Sequence, residues 1–162
     1  MHRASLSLLK KIFSSVTNFY ETLNVTHVSC KTTINHPIDA VWRVISDFSM
    51  VGQYLSGVVT CTVEGQGVGA LRTLTSADSG TIIERLETLD EAAHRLSYIL
   101  LTDTPFRNCL TTMLLRDLGV SQAELEWSAT FEADGLPEDE AREMLEGALS
   151  ANCLMLKQFM ER

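Results

Sequence analysis

Residues 135–160 read GLPEDEAREMLEGALSANCLMLKQFM, and this stretch has the signals of one long helix. Pro137 suits the first turn of a helix, and the acids at 138–140 are favourable near the positive end of its dipole. About 25 residues at about 1.5 Å each span nearly 40 Å. A single stripe recurs at helical spacing and predicts a buried face: Met144, Leu145, Ala148, Leu149, Asn152, Met155, Leu156 and Phe159.

The chain before this helix is rich in short strands. Residues 25–34 contain many Val and Thr and predict a first strand, which two short helices follow at 37–48 and 50–55. Six further strands are separated by turn residues in the manner of an antiparallel meander: 58–64, 70–75, 81–89, 95–102, 109–116 and 123–131. The predicted fold class is α+β, with a curved antiparallel sheet of six or seven strands wrapped around the C-terminal helix.

The composition and charge of the chain exclude some classes of binding partner. The chain has 162 residues, 45% of them hydrophobic and 21% charged, which is typical of one globular domain. Its net charge is −8 and no basic stripe offsets this charge, so nucleic acid is excluded as the main partner. No apolar run reaches the roughly 20 residues of a transmembrane helix, so no transmembrane segment is expected.

The cysteines and histidines form no chemical motif. The four cysteines lie far apart in apolar segments, which favours buried free thiols over disulfides and predicts a reducing, cytoplasmic environment. The four histidines are scattered, and no phosphate-binding loop or catalytic triad pattern is present. We therefore expect no metal, no cofactor and no catalytic constellation of a standard type.

Residues 1–24 differ from the rest and are interpreted as an N-terminal amphipathic extension. They hold Arg3, Lys10 and Lys11 but no acid among the first 20 residues. One interpretation is an extra helix packed on the domain or on a second copy, which would make a homodimer. A membrane-surface helix and an organelle-targeting segment are the alternatives. The helical pattern runs through Leu8, Leu9, Ile12, Phe13, Val16, Tyr20 and Leu23.

The remaining residues, 25–162, resemble the START-like helix-grip superfamily, also called SRPBCC. The resemblance rests on the order and spacing of the closing helix and five segments before it: INHPIDAVW at 34–42, GALR at 69–72, ERLETLD at 84–90, LSY at 96–98 and WSATF at 127–131. It implies a cavity between sheet and helix for hydrophobic or amphipathic small molecules. The fold hosts carriers, receptors and enzymes, so it does not imply a reaction.

The sequence is distantly similar to the plant abscisic-acid receptors of this superfamily, but it departs from them at functional positions. Residues 53–56 lack the lysine that pairs with the hormone carboxylate. A short turn at 76–80 replaces their gate loop, and residues 104–107 replace their latch. The chain looks more similar to the polyketide cyclase/dehydrase members.

Arg72 and Glu84 are the main candidates for a polar site. A three-residue loop at 77–79 would place them opposite each other on paired strands, where they could form a solvent-facing ion pair or a pocket-facing one. The resemblance favours a pocket-facing ion pair, and it also favours a ligand-facing Asn152. Alternation along 123–131 points Trp127 inward and Glu126 to water. The full predicted ligand site is Tyr54, Arg72, Glu84, Tyr98, Thr111, Met113, Met144, Ala148 and Asn152.

Two functions remain open on the sequence. The preferred one is non-catalytic binding of a small hydrophobic or amphipathic molecule by a carrier or sensor. The alternative is a polyketide cyclase/dehydratase-type enzyme that uses the same cavity, in which Arg72, Glu84 and Tyr98 would polarise a carbonyl and move a proton.

Overall fold

A single antiparallel sheet of seven strands packs against the C-terminal helix in the computed structural model, which describes residues 25–78 and 80–162. The elements are β1 Val25–Ile34, α1 Ile38–Ile45, α2 Val51–Tyr54, β2 Val58–Glu64, β3 Leu71–Ser76, β4 Thr81–Asp90, β5 Arg95–Leu100, β6 Phe106–Gly119, β7 Gln122–Ala133 and α3 Glu138–Met160. The spatial order of the strands is β1-β7-β6-β5-β4-β3-β2. The predicted fold class is confirmed, with seven strands and not six.

The sheet curves because its register is interrupted. Shifts occur in the β2–β3, β4–β5 and β6–β7 pairings, and an extra residue on one strand bends that strand and increases its twist. One of the β6 interruptions lies at Asn108, whose φ is +53°. Strand β6 is longer than the predicted 109–116 at both ends, since its pairing with β7 continues beyond the irregularities at Asn108 and between Asp117 and Gly119.

The concave face of the sheet is the apolar one. Along β7 the odd-numbered residues from Ala123 to Phe131 are buried, while Glu126 points outward and binds Arg116 at 2.8 Å. The predicted alternation on this strand is therefore confirmed. Across β6 and β5, Met113 and Leu96 continue the same buried layer beside Trp127.

Helix α3 runs parallel to β1 and is fastened to it at both ends. Near its start, the Thr26 hydroxyl donates to Glu138 at 2.8 Å, and near its end the Lys157 ammonium donates to the Thr33 carbonyl at 2.6 Å. Between these points Ala141, Leu149, Cys153 and Leu156 are buried. The helix therefore covers the β1 side of the sheet most closely.

The two prolines that precede helices stand at N-cap positions and not inside the first turn. Pro37 and Pro137 have φ of −57° and −55° with extended ψ, so the helices begin one residue later than predicted. Their carbonyls accept the first helical N–H groups, from Val41 and Ala141. Proline has no N–H to leave unpaired there.

Residues 1–24 lie outside the described residues, so the predicted amphipathic extension and homodimer stay predictions, as does the domain boundary at residue 25. Within the part of the chain that the structure describes, no helix is both long and apolar enough to cross a membrane.

We expect Leu156→Ala to lower the free energy of unfolding by about 2–5 kcal/mol, because the Leu156 side chain projects from α3 and is fully buried against the sheet. Leu118→Ala is the matched control: this leucine is 50% exposed, so the change should be within about 0.5 kcal/mol. Chemical denaturation of both variants checks this. Equal losses would mean that α3 is not packed on the sheet.

Candidate functional site

An ion pair between β3 and β4 forms the polar centre of the candidate site. Arg72 lies directly opposite Glu84 in the strand register, and its Nε donates to Glu84 Oε2 at 2.6 Å. The two side chains are only 5% and 12% exposed. The predicted pairing across the hairpin is confirmed, and the pair is largely removed from water.

Two aromatic rings hold the Arg72 guanidinium in place. Its central carbon lies 4.1 Å from the centre of the Phe48 ring and 4.7 Å from that of Tyr98. Burial is the largest single influence on the pKa of Arg72 and lowers it, but Glu84, Tyr98 and Tyr54 together outweigh burial, so the pKa is raised and the cation persists. Cation–π contacts of this kind are strongest where water is excluded.

The guanidinium keeps donors available for another molecule. Of its five N–H groups, one serves Glu84 and one makes a long 3.4 Å contact to the Phe48 carbonyl. Arg72 also forms part of a cavity wall. The arrangement can therefore present a fixed, charged donor to an acceptor inside the cavity.

The cavity has a volume of about 390 Å³ and lies between α3, the segment after α2, and the β3–β4 hairpin. It opens to solvent at the hairpin end, where Ile82 is 40% exposed. Most of its wall is apolar, and the main polar groups are Arg72, Glu84 and Asn152. Other wall residues include Val51, Leu55, Leu74, Ser76, Ile82, Tyr98, Ala148 and Met155.

Five of the nine predicted site residues line this cavity: Arg72, Glu84, Tyr98, Ala148 and Asn152. Three others are buried outside its wall. Tyr54 packs on Phe159, with ring centres 6.2 Å apart, and Thr111 and Met113 belong to the layer that fills the β6 side of the sheet. That side is occupied by large side chains, which confines the cavity to the β3–β4 side.

The prediction that Met144 lines the cavity is wrong. Its side chain is 52% exposed and is absent from the cavity wall. The stripe that faces the sheet passes through Ala141, Leu145 and Leu149, so Met144 lies on the outer side of α3. The apolar positions of this helix are too many for the sequence to show where the buried stripe is centred.

Sequence reasoning also missed wall residues that a simple rule would have found. Leu74 and Ser76 share a face of β3 with Arg72, and Ile82 shares a face of β4 with Glu84, because side chains alternate along a strand. Phe48, which stacks on Arg72, gave no such signal, since it follows α1 and is distant in the sequence from both strands.

The tyrosines near the ion pair are held in the neutral form. Burial raises the pKa of Tyr54 to about 12, and the positive charge of Arg72 offsets only part of this effect. Burial likewise raises the pKa of Tyr98, whose oxygen accepts a hydrogen bond from Trp127 Nε1 at 3.2 Å. Both phenols are therefore hydrogen-bonding groups at neutral pH and poor proton donors.

Burial disfavours two of the cysteines as nucleophiles. All four are free thiols; Cys109 and Cys153 are buried, and Cys30 and Cys61 are half-buried. Burial raises the pKa of Cys109 to about 11 and raises that of Cys153 as well, which disfavours the reactive thiolate. Among residues 25–78 and 80–162, no group of His, Cys, Asp and Glu side chains is arranged to hold a metal ion.

We expect the free energy of unfolding to fall as the pH rises from about 10 to about 12, in part because of Tyr54. Between these values the unfolded chain releases the phenolic proton while the folded chain keeps it, so folding is progressively disfavoured. In Tyr54→Phe the free energy of unfolding should fall less steeply over this pH range, even where its value at neutral pH differs from that of the wild type. Chemical denaturation at a series of pH values measures it, and parallel curves for the two proteins would contradict the assignment.

Solved structures share this architecture. An uncharacterised protein from Bacillus thuringiensis is 24% identical, with a TM-score of 0.78, over 85% of this chain and 100% of that one. The protein XoxI from Bacillus cereus is 25% identical, with a TM-score of 0.77, over 84% and 96% of the two chains. The Zhui aromatase/cyclase from a Streptomyces species is 22% identical, with a TM-score of 0.72, over 86% and 95%.

A search of curated proteins finds no match to this sequence. The family model described as polyketide cyclase/dehydrase and lipid transport, in contrast, matches residues 25–161, which include every strand and helix described above. The resemblance to the SRPBCC-type helix-grip proteins is thereby confirmed, and the chain belongs to the polyketide cyclase/dehydrase and lipid transport family.

Proposed function

We propose that this domain binds a small amphipathic molecule in the cavity between β3, β4 and α3, as a carrier or sensor. The observation that carries the proposal is the Arg72 guanidinium, which is buried in a mostly apolar wall and has donors left over after its contacts with Glu84 and Phe48. Ligand sites typically combine an apolar lining with a few convergent polar groups. The volume of about 390 Å³ lies in the range of such sites.

The charge balance of the site indicates which polar group the ligand carries. Glu84 already neutralises Arg72, so a second carboxylate beside the pair would meet the negative charge of Glu84. A neutral acceptor such as a ketone or a phenol oxygen would take a charge-assisted hydrogen bond from Arg72 without this repulsion. Asn152, on the α3 side, supplies a second donor and acceptor.

The enzyme alternative has separate support. The family description includes cyclases and dehydrases, and the fold is shared with an aromatase/cyclase. Arg72 could polarise a carbonyl, but no histidine lines the cavity among the described residues, and the raised pKa of Tyr98 opposes proton transfer at neutral pH. These features favour binding over catalysis.

We expect the wild-type protein to bind the apolar dye N-phenylnaphthylamine with a rise in fluorescence, and Ala148→Trp to weaken binding by about tenfold or more. Ala148 lies at the cavity wall and is exposed, so the indole can occupy the opening without displacing packed atoms. Ser150→Trp, on the outer side of the same helix, is the matched control and should bind like wild type. A wild-type protein that binds no dye, or a folded Ala148→Trp that binds normally, would contradict the cavity site.

The role of Arg72 is tested with a pair of dyes. Arg72→Lys keeps a cation beside Glu84 but loses the planar fork of donors. We expect it to weaken binding of prodan, a naphthalene dye that carries a ketone, about tenfold more than binding of N-phenylnaphthylamine. Fluorescence titrations of both dyes give the ratio. Equal losses for the two dyes would show that Arg72 shapes the cavity without binding the ketone.

A further inference from the structure

Two cysteines face each other where α3 packs on the edge strand β1. Cys30 shares a face of β1 with Thr26 and Val28, both of which are buried, because side chains alternate along a strand. Cys153 is one of the buried residues of α3. Its thiol contacts the Cys30 carbonyl oxygen at 4.0 Å, so the two residues meet across the interface between helix and strand.

Hydrogen bonds on both sides hold this contact in place. Toward the start of α3, Arg142 donates to the His27 carbonyl at 3.1 Å, and toward its end Lys157 donates to the Thr33 carbonyl at 2.6 Å. Both cysteines lie between these two attachments, one on β1 and the other on α3. Helix and strand therefore cannot separate at the cysteines without breaking a bond on at least one side of them.

The two thiols differ in their access to solvent. Cys30 is half-buried on a strand at the edge of the sheet, whereas Cys153 is only 2% exposed. Burial raises the pKa of Cys153, and the neighbouring Cys30 thiol raises it further. A dissolved oxidant therefore reaches Cys30 first, and Cys153 can react with a group that is already attached to Cys30.

The sheet keeps the other two cysteines apart from each other. Cys61 is on β2 and Cys109 is on β6, and three strands lie between them, which is about 19 Å along the sheet. Cys109 is also two strands away from β1, or about 10 Å. A disulfide requires Cα atoms within about 7 Å of each other. Cys30 and Cys153 are thus the cysteines that the fold brings into contact.

We propose that Cys30 and Cys153 are an oxidation site, at which a small disulfide of the glutathione type converts the two thiols into a disulfide that joins β1 to α3. Cys30 attacks glutathione disulfide, forms a mixed disulfide and releases one glutathione thiol. Cys153 then attacks the Cys30 sulfur and releases the second, and each protein thiol passes its proton to a departing thiolate. Two protein thiols are oxidised while one glutathione disulfide is reduced to two thiols. Proximity offsets the low thiolate fraction of Cys153.

The bond links the first strand of the sheet to the last helix. Its two ends are 123 positions apart, so it closes a loop that contains every strand from β2 to β7. A cross-link over a long loop restricts the unfolded chain strongly and thereby stabilises the folded one. The free thiols are the form expected under reducing conditions, and oxidation produces a more stable form. The site is at β1 and the cavity is beside β3 and β4, so the inference does not depend on a ligand.

Oxidation of the reduced full chain by glutathione disulfide tests the site. Trypsin places the four cysteines on four different peptides, because a Lys or Arg separates each from the next. After remaining thiols are alkylated, we expect mass spectrometry to find the peptides of Cys30 and Cys153 linked to each other. The melting temperature should rise by at least about 5 °C, and dithiothreitol should reverse both changes. A mixture of unlabelled and ¹⁵N-labelled protein separates links within a chain from those between chains.

Two variants give the matched comparison. Cys30→Ser should show neither the link nor the rise in melting temperature, whereas Cys61→Ser, which alters the other half-buried cysteine, should show both. If Cys30→Ser does not fold, reversal by dithiothreitol in the wild type provides the comparison between linked and unlinked protein.

Several results would overturn the proposal. They are a mixed disulfide at Cys30 that does not close, links through Cys61 or Cys109, and links found only between light and heavy chains. A bond between Cys30 and Cys153 that leaves the melting temperature unchanged or lowers it would overturn it too, because such a bond does not fit the folded geometry. No ligand takes part, so failure here is distinct from failure of the proposed binding function.

Discussion

The fastening of α3 to the edge strand β1 determines where this domain can hold a ligand. The bonds from Thr26 to Glu138 and from Lys157 to the Thr33 carbonyl fix both ends of the helix over one side of the sheet. A sheet of seven strands is wider than a single helix, so the opposite side, with β3 and β4, is left incompletely covered. The cavity lies in this less covered region, beside the layer of large side chains that fills the β6 side.

The ion pair in this uncovered region is energetically demanding. Taking a guanidinium and a carboxylate out of water costs more than their attraction returns unless their hydrogen-bonding capacity is used. Glu84 accepts a hydrogen bond from Arg72, and the rings of Phe48 and Tyr98 contact its guanidinium. The remaining N–H groups of Arg72 are available to a ligand. Under the proposed binding function, such a site would select ligands by the position of their polar atom, since a fully apolar ligand would leave the remaining donors without a partner.

The sequence predicted the elements well and the site only in part. Strands such as β2 and β7 were predictable because turn residues and alternation are local signals, and the Arg72–Glu84 register followed from the length of one turn. The centre of the buried stripe on α3 could not be predicted, because Met144 and Leu145 are equally apolar and only the tertiary position of the helix distinguishes them. Phe48 was missed for a similar reason: its contact with Arg72 joins segments that are far apart in the sequence.

The order of the strands also has a consequence for how the chain is made. Strand β1 is the first element, but its neighbour in the sheet is β7, and Val25 pairs with Glu132, 107 residues later. At synthesis rates of about 5–20 residues per second, roughly 5–20 seconds separate the appearance of the two strands. During that interval Val28 and Ile34, which are buried in the finished fold, have neither β7 nor α3 to pack against. The nascent chain therefore carries a strand with unburied apolar side chains and an unpaired edge, and such strand edges can pair with other chains.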